Sequence, residues 1–422
     1  MLGNLKKWFA PKAPVKEKPP YYSIVCPYCF SKFEPEDVQF RASHIKDNDD
    51  DFMLQEDRRL NDWRRKFHLS EVDMEAVIEP HTIPEENKIY SQNVLVAVTD
   101  RYGETTKRRL CPNCHNELPI SAGKVPSNII SIVGASQVGK SVYMTSLIHT
   151  LQQSTASNFD AACMPLSAEI SRKFRQNYHE PIFERGSMLQ STNPNEQQEP
   201  FIFQFVFKDP EQAPLTLVFF DVAGEGMVER DYLDIYASHI KNSSGILFLV
   251  DPLQIRTIRD RIHINLGEEE GEFANRYDEP REVVISLFEN FIAHQHNSKT
   301  DIPTAIVLTK SDMLQYLKEE DSEYIQPNSN VFSNVVHKGY LNQTEFENIN
   351  GEISRFIQKV DRPFKDAIDV YFTNTAYFAV SALGANPVNK QITGVINPTR
   401  VDEPFIWLLH KLDYVARKEA PR

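Results

Sequence analysis

The fold of this chain is decided by the stretch Gly134-Ala135-Ser136-Gln137-Val138-Gly139-Lys140-Ser141, which has the pattern G-x-x-x-x-G-K-S. The stretch 128–133 that precedes it, four of whose six residues are Ile or Val, predicts a buried strand. After it, Tyr143, Leu147 and Leu151 recur every fourth residue, which indicates one face of a helix. A strand, a glycine loop and a helix in this order predict an open α/β sheet, with a ligand site at the carboxyl end of a strand.

The loop has the composition needed to bind a polyphosphate. Backbone N–H groups and the positive end of a helix would surround the phosphates, and Gly134 and Gly139 permit the tight curl. Lys140 is expected to reach the β- and γ-phosphates, and the Ser141 hydroxyl is expected to bind Mg²⁺. The other expected nucleotide contacts in this stretch are Ser136, Gln137, Val138 and Val142. The alternative is a chance match in an ordinary βα turn, which the predicted strand and helix disfavour.

Length and charge limit the possible classes of function. The chain has 422 residues and a formal net charge of −13 at pH 7. Its length predicts roughly two to three domains, and the acidic balance disfavours general affinity for nucleic acid. No apolar run approaches the roughly 18 residues of a membrane helix, and residues 1–9 lack the long apolar core of a signal peptide. We therefore expect a cytoplasmic protein without a membrane span.

Four of the five cysteines fall in two C-P-x-C pairs, Cys26-Pro27-Tyr28-Cys29 and Cys111-Pro112-Asn113-Cys114. The two pairs resemble the halves of a zinc ribbon, in which four thiolates complete a tetrahedron around one ion. They lie roughly 80 residues apart, more than is usual in that family, so we infer an insertion between them. A redox dithiol is the alternative, and neither pair has the βαβ setting that such motifs need. His115 could replace one ligand, although four cysteines suffice.

Composition suggests three regions. Residues 1–20 are rich in Pro and Lys and predict a flexible segment. Residues 21–125 would form the zinc ribbon, with a charged helical insertion at about residues 40–90 in which Leu60, Trp63 and Phe67 have helical spacing. The basic residues of this insertion, between Arg58 and Lys66, could contact nucleic acid or a partner, or form a solvated helix face. Residues 126–422 would form the α/β domain, with insertions near 253–280 and 320–345.

Three further motifs follow the phosphate loop, each directly after a predicted strand. Residues 221–224 have the pattern D-x-x-G after the strand 215–220, and residues 309–312 are Thr-Lys-Ser-Asp after the strand 305–308. Residues 381–383 are Ser-Ala-Leu after the strand 376–380. This motif order resembles the Ras-like and translation-factor class (TRAFAC) of P-loop GTPases. The resemblance implies a mostly parallel six-stranded sheet with one antiparallel strand and helices on both faces.

The resemblance also implies a role for each matching residue. Asp221 would hold Mg²⁺ through water, and the Gly224 N–H would contact the γ-phosphate, so that the segment after it forms a switch. Asp312 would accept hydrogen bonds from guanine N1 and N2, and Lys310 would lie over the base. Ser381, Ala382 and Leu383 would border the base, with the Ala382 N–H meeting guanine O6. Thr309 replaces the commoner Asn, which removes an amide that ties the base loop to the phosphate loop.

The first switch and the catalytic group are less clearly marked. Thr192 is the candidate for the first-switch ligand of Mg²⁺, and Thr155 and Ser187 compete with it. Glu225 lies where Ras-like enzymes usually place the Gln that orients the attacking water. Its negative charge near the γ-phosphate predicts slow hydrolysis that needs a partner to supply an Arg, and the alternative is a spectator on a loop. Gln137, with Ser136, is expected to narrow the catalytic pocket beside Lys140.

The combination of a zinc ribbon, the D-V-A-G-E and T-K-S-D motifs and the final stretch D-E-P-F-I-W-L-L resembles the second partner of bacterial double-GTPase systems. That resemblance implies a GTP-dependent switch with bound Mg²⁺ and Zn²⁺. It also implies protein effectors, an activating protein or a second GTPase as partners, and a role in conflict or stress response. Two alternatives remain: a GTP-gated protein that docks nucleic acid through the ribbon, and an ATPase in which T-K-S-D is a coincidence.

Overall fold

The computed structural model describes residues 21–46, 48–135, 138–189, 200–219, 239–266, 280–287, 299–317, 325–326, 328–385, 387, 391–392 and 394–418. The predicted flexible segment 1–20 lies outside this range, as do the candidate residues Ser136, Gln137, Thr192, Asp221, Gly224 and Glu225.

The largest element of the fold is a seven-stranded sheet built from the apolar runs of residues 128–379. Its strand order is β12-β13-β14-β11-β15-β16-β18, and only β13 runs against the others. These strands are β11 (Asn128–Gly134), β12 (Ala161–Pro165), β13 (Phe201–Phe207), β14 (Leu215–Phe219), β15 (Gly245–Val250), β16 (Thr304–Leu308) and β18 (Thr375–Ala379). The mostly parallel sheet with one antiparallel strand is therefore confirmed, and the phosphate loop follows β11 near the middle of the sheet.

The strand count differs from the prediction by one. β12 adds an edge strand that pairs antiparallel with β13, so six predicted strands become seven. Cys163 faces inward on β12 and is 7% exposed, whereas Met164 beside it is 51% exposed. The alternation is that of a strand with one covered face, but a five-residue run that contains Pro and two Ala carries little strand propensity.

Helices cover both faces of the sheet. Gly245 and Phe248 lie on opposite faces of β15 because neighbouring side chains alternate along a strand. A Cβ atom at Gly245 would meet the side chain of Leu408, whereas the Phe248 ring lies 6.5 Å from the ring of Phe364. The helices of this domain are α2 (Lys140–Thr150), α3 (Ala156–Asn158), α4 (Ala168–Phe174), α5 (Arg256–Leu266), α6 (Pro280–Leu287), α7 (Gln343–Val360), α8 (Arg362–Tyr371) and α9 (Glu403–Lys411). Two of them continue into π-helical turns, at Leu151–Thr155 and at Arg175–Glu184.

The predicted insertions contain regular structure. In the region near 253–280, the described residues form a 3₁₀ turn (Pro252–Gln254) and then α5. In the region 320–345, β17 (Tyr340–Asn342) pairs in parallel with β19 (Ala416–Lys418) near the end of the described chain. The buried Arg400 guanidinium forms ion pairs with Glu345 at 3.0 Å and Glu403 at 2.6 Å. The second insertion is thereby attached to the α/β domain. None of the described helices is both long and apolar enough to cross a bilayer.

The N-terminal region is built from short elements around the two cysteine pairs. It contains the helix α1 (Arg58–Lys66) and strands of two to six residues that form small separate sheets. The strands are β1 (Ile24–Val25), β2 (Lys32–Phe33), β3 (Gln39–Arg41), β4 (Gln55–Glu56), β5 (Asp73–Met74), β6 (Val77–Ile78), β7 (Lys88–Ser91), β8 (Val94–Thr99), β9 (Thr105–Thr106) and β10 (Arg109–Leu110).

The helix α1 lies across both cysteine pairs. The Trp63 indole N–H donates to the Tyr28 carbonyl at 3.2 Å, inside the first pair, and the Arg59 guanidinium donates to the Pro112 carbonyl inside the second. The Asp57 carboxylate caps the helix by accepting from the Leu60 N–H at 3.1 Å. The charged insertion therefore stabilises the arrangement of the cysteines.

The first cysteine pair also packs against the α/β domain. Phe30, one residue after Cys29, is fully buried, and its ring lies 4.3 Å from the ring of His239. The Asn242 side chain donates to the Phe30 carbonyl at 2.9 Å. The Ser243 hydroxyl contacts the Ser131 hydroxyl on β11, so residues 239–243 link the N-terminal region to the strand that leads into the phosphate loop.

Candidate functional site

The described part of the phosphate loop curls as its glycines predict. A Cβ atom at Gly134 would lie 2.8 Å from the Leu249 carbonyl oxygen, so a larger residue does not fit between β11 and β15. Gly139 has a left-handed backbone, with φ of +83°, and α2 begins directly after it. The Lys140 ammonium lies 3.0 Å from both the Gly134 and the Ala135 carbonyl oxygens. A positive charge and the N-terminus of an 11-residue helix therefore meet at the loop.

Thr309 connects the loop after β16, which begins at residue 309, to the phosphate loop. Its hydroxyl lies 3.0 Å from the Val138 carbonyl oxygen and 3.3 Å from the Val250 carbonyl oxygen. Its backbone N–H also donates to the Val250 carbonyl at 2.8 Å. The sequence predicted that Thr in place of Asn removes an amide tie, and the structure shows that the shorter hydroxyl supplies a tie of its own.

Asp312 is held by the Ser381 hydroxyl, which donates to its carboxylate at 2.6 Å. The Gly384 N–H donates to the same hydroxyl at 2.9 Å, which fixes its orientation. Burial raises the pKa of the Asp312 carboxyl above its ordinary value. A desolvated carboxylate with one oxygen turned to Ser381 is suited to accept two N–H donors from a ligand.

Lys310 forms an ion pair with the buried carboxylate of Asp251. Asp251 directly follows β15, and its side chain is 3% exposed, compared with 38% for that of Lys310. Lys310 has a left-handed backbone, with φ of +49°, and caps the 3₁₀ helix Ser311–Tyr316. The ammonium is thus held at the pocket by the residue that directly follows the neighbouring strand β15.

One pocket brings the sequence motifs together. The pocket is partly open to solvent, and the space between its lining atoms, open solvent included, is about 620 Å³. Val138, Gly139, Val142, Thr309, Lys310, Asp312, Ser381, Ala382 and Leu383 all line it. Lys140 and Ser141 open α2 directly beside it.

Sequence reasoning missed three residues of this site. Met188 and Tyr143 line the pocket, and Asp251 holds Lys310. Met188 lies two residues after Gly186, whose carbonyl accepts from the Ile392 N–H at 2.7 Å, so its segment is bonded to one that is distant in sequence. A contact between two loops leaves no periodic pattern in the sequence, so it could not be predicted from it. Asp251, in contrast, was visible as a carboxylate that ends an apolar strand.

The four cysteines of the C-P-x-C pairs form one cluster. Their sulfurs lie within 4.8 Å of one another, and the Sγ–Sγ distance is 3.7 Å for both Cys26–Cys114 and Cys29–Cys111. Thiolates about 2.3 Å from a tetrahedral Zn²⁺ are roughly 3.8 Å apart, so the cluster fits that ion.

His115 is not a member of the cysteine cluster. Its Nδ1 lies 2.7 Å from an Asp57 carboxylate oxygen, and the other oxygen of Asp57 lies 2.6 Å from the Arg41 guanidinium. The suggestion that His115 replaces a zinc ligand is therefore wrong, since the ring is bound to the carboxylate that caps α1.

The chain is similar in sequence to one curated protein. The chain is 25% identical over 221 residues to "Putative ESX-1 scaffolding and assembly protein SaeC" of Mycolicibacterium smegmatis. The match covers 51% of this chain and 54% of that protein, so the chain spans about half the length of this relative.

Among solved structures, the chain is similar to the Arl6 small GTPase of Trypanosoma brucei and the Ski7 GTPase-like domain of S. cerevisiae, with 10% and 14% identity. Each covers 68% of this chain, which in turn covers 98% and 50% of those chains, at TM-scores of 0.28 and 0.31. These scores are low, and the fold is defined instead by the strand order given above. A family model described as Double-GTPase 2 matches residues 128–350, more than half of the 422 residues. The chain therefore belongs to the Double-GTPase 2 family.

Proposed function

We propose that this protein is a guanine-nucleotide switch that binds GTP with Mg²⁺ and hydrolyses it slowly to GDP and phosphate. The observation that carries the proposal is the single pocket in which Val138 and Gly139 of the phosphate loop meet Asp312 and Ala382 of the base loops. A polyphosphate and a purine would then occupy neighbouring parts of one pocket, whose two loops the Thr309 hydroxyl joins by its 3.0 Å contact with the Val138 carbonyl oxygen.

At the phosphate end, the chain supplies positive charge and N–H donors. Gly139 and the first turn of α2 present their N–H groups to the phosphates, and Lys140 adds an ammonium. Mg²⁺, when bound, neutralises the developing charge of the γ-phosphate, and Ser141, Asp221 and Thr192 are the proposed residues that hold it. Gly224 would sense the γ-phosphate, and Gln137 and Glu225 would complete the catalytic pocket. The negative charge of Glu225 is the reason to expect slow hydrolysis without an activating partner.

At the base end, Asp312 is proposed to select guanine. Its carboxylate would accept from guanine N1–H and the N2 amino group, whereas adenine lacks that donor pair. The adenine of ATP would leave the buried Asp312 carboxylate without these hydrogen bonds, which makes the free energy of ATP binding less favourable. The Ala382 N–H would meet guanine O6, and Ser381 would orient the carboxylate.

The four-cysteine cluster is proposed to hold Zn²⁺ as a structural ion. A closed site of four thiolates leaves no open coordination position for a substrate. Burial raises the pKa of the Cys26 and Cys114 thiols, so a cation is needed to keep all four as thiolates. The ion would hold α1 and the first cysteine pair against residues 239–242.

Protein partners are proposed in preference to nucleic acid. On α1, the Arg59 guanidinium donates to the Pro112 carbonyl, Arg64 donates to the Ser70 carbonyl, and Arg65 pairs with Asp62 and Glu71. These groups are engaged within the chain, and the net charge of −13 repels phosphate. SaeC is named as a scaffolding and assembly protein, and the proposed role here is control of protein effectors in the cytoplasm. We also propose a second GTPase as a partner, in a bacterial conflict or stress-response system.

Titration with fluorescent GTP, GDP and ATP in the presence of Mg²⁺, followed by single-turnover hydrolysis, tests this function. We expect tight binding of GTP and GDP, little binding of ATP and slow release of phosphate. The Lys140→Ala variant should lose binding by roughly a hundredfold or more, because it removes a charge from the phosphate site. Equal binding of ATP and GTP would contradict the guanine switch, and unaltered binding by Lys140→Ala would contradict the phosphate-loop role.

A further inference from the structure

Asp251 is a buried carboxylate at the nucleotide pocket that the proposed chemistry does not use. It lies at the carboxyl end of β15, beside β16, from which the base loop departs. With its side chain 3% exposed, its charge needs a partner, since an isolated buried carboxylate is costly. That partner is the ammonium of Lys310.

The backbone holds Asp251 firmly in place. Its Oδ1 accepts from the Leu253 N–H at 2.9 Å and caps the turn Pro252–Gln254. Its Oδ2 faces the Lys310 ammonium. The Thr309 N–H donates to the Val250 carbonyl at 2.8 Å, so the two residues of the ion pair start from bonded strands. The carboxylate is therefore positioned before any ligand arrives.

The position of Asp251 determines where Lys310 can lie. The Lys310 side chain is 38% exposed and would otherwise be free to extend into solvent. With its ammonium bound to Asp251, its four-carbon stem is kept along the wall of the pocket that Asp312 and Val138 also line. An ordered stem can pack on the flat face of a base without paying side-chain entropy when the base binds.

We propose that Asp251 is a positioning residue for guanine nucleotides, which holds Lys310 against the face of the base and thereby sets how long the nucleotide stays bound. This inference rests on the proposed function, because it assigns the base to this pocket. The sequence motifs assign the base only to the loops after β16 and β18. The inference adds a residue from the end of β15.

The test is the dissociation rate of fluorescent GDP and GTP from Asp251→Asn. The substitution keeps the shape and the acceptor for the Leu253 N–H but removes the charge that holds Lys310. We expect dissociation about tenfold faster, the order of one charge-assisted hydrogen bond. The factor should be the same for GDP and GTP, because the contact lies at the base and not at the γ-phosphate. Asp260→Asn is a matched control, since Asp260 forms an exposed pair with Arg256 on α5, and it should leave the rate unchanged.

The same substitution made in a Lys310→Met variant shows whether Asp251 acts by positioning Lys310 or by stabilising the fold. In Lys310→Met, the stem remains but the ammonium is gone, so Asp251→Asn should add less than about a twofold change. An equal effect of Asp251→Asn in both backgrounds would overturn the inference, because Asp251 would then act through the fold. So would wild-type dissociation rates in Asp251→Asn alone. If the unmodified protein binds no guanine nucleotide, the proposed function itself fails, which is a different result.

Discussion

At the scale of single residues, we expect Asp312 to determine which nucleotide the pocket binds. Asp312→Asn replaces an acceptor-only carboxylate with an amide that presents an N–H where guanine also presents donors. GTP binding should weaken by roughly a hundredfold or more, while xanthosine triphosphate, which carries a carbonyl in place of the amino group, should bind better. Competition titrations with both nucleotides measure this. An unchanged preference for guanine would show that another group reads the base.

Thr309 gives a second test at the same scale. Thr309→Val removes the hydroxyl that lies 3.0 Å from the Val138 carbonyl oxygen and keeps the side-chain shape. Nucleotide dissociation should be roughly fivefold faster, because one buried hydrogen bond between the two loops is lost. Thr309→Ser retains the hydroxyl and is the matched control. If both variants release nucleotide at the wild-type rate, the tie does not support the site.

At this scale the sequence predicted residue types better than contacts. The pattern T-K-S-D identified Lys310 and Asp312 as pocket residues, and the structure places both there. It did not reveal that Asp251 binds Lys310, because that pair joins positions 59 residues apart. The contact of His115 was hidden for a similar reason: its neighbour in sequence is Cys114, but its partner is Asp57, 58 residues away.

At the scale of elements, α1 is expected to stabilise both cysteine pairs, because it contacts each of them. Trp63 is 5% exposed, and its ring packs edge-on against Tyr28 at 5.6 Å. Trp63→Ala should lower the free energy of unfolding of the N-terminal region by about 3–5 kcal/mol and speed release of Zn²⁺ to a colorimetric chelator. Arg58→Ala, an exposed position on the same helix, should change neither. Unaltered zinc release from Trp63→Ala would show that α1 does not support the cysteine pairs.

Most buried strands of the large sheet were predictable from the sequence, and the short strands of the N-terminal region were not. The predicted strands 128–133 and 305–308 are each one residue shorter than β11 and β16, and the predicted strand 376–380 is shifted by one residue from β18. The strands of the N-terminal region are mostly two or three residues long, too short to show a period of two. The 18-residue α7 was overlooked although Phe346, Ile349, Ile353 and Phe356 have helical spacing, because polar residues surround each of them.

At the scale of the whole molecule, the cysteine cluster should stabilise more than its own region. Cys111→Ser or a strong chelator is expected to loosen the N-terminal region, because three thiolates hold Zn²⁺ far less well than four. Equilibrium GTP binding should persist, since no cysteine of the cluster lines the pocket. Hydrogen exchange should quicken in residues 239–244, which contact Phe30 and Ser131.

Cys163→Ser is the control for this experiment, because Cys163 is buried on β12 and lies apart from the cluster. It should leave exchange in residues 239–244 as in the wild type. Protection that stays unchanged after zinc removal would mean that the two regions are independent. Loss of GTP binding would mean that they form one cooperative unit.

The packing of the Phe30 ring against the His239 ring has one further consequence. The segment 221–238, which begins with the D-x-x-G motif, ends where that aromatic contact begins. If nucleotide binding changes the contact between Phe30 and His239, a partner that binds the N-terminal region must change the nucleotide affinity by the same factor, since the free energy that couples two sites acts equally in both directions. Such a partner would change how tightly GTP is held without contacting the phosphates, by binding the N-terminal region.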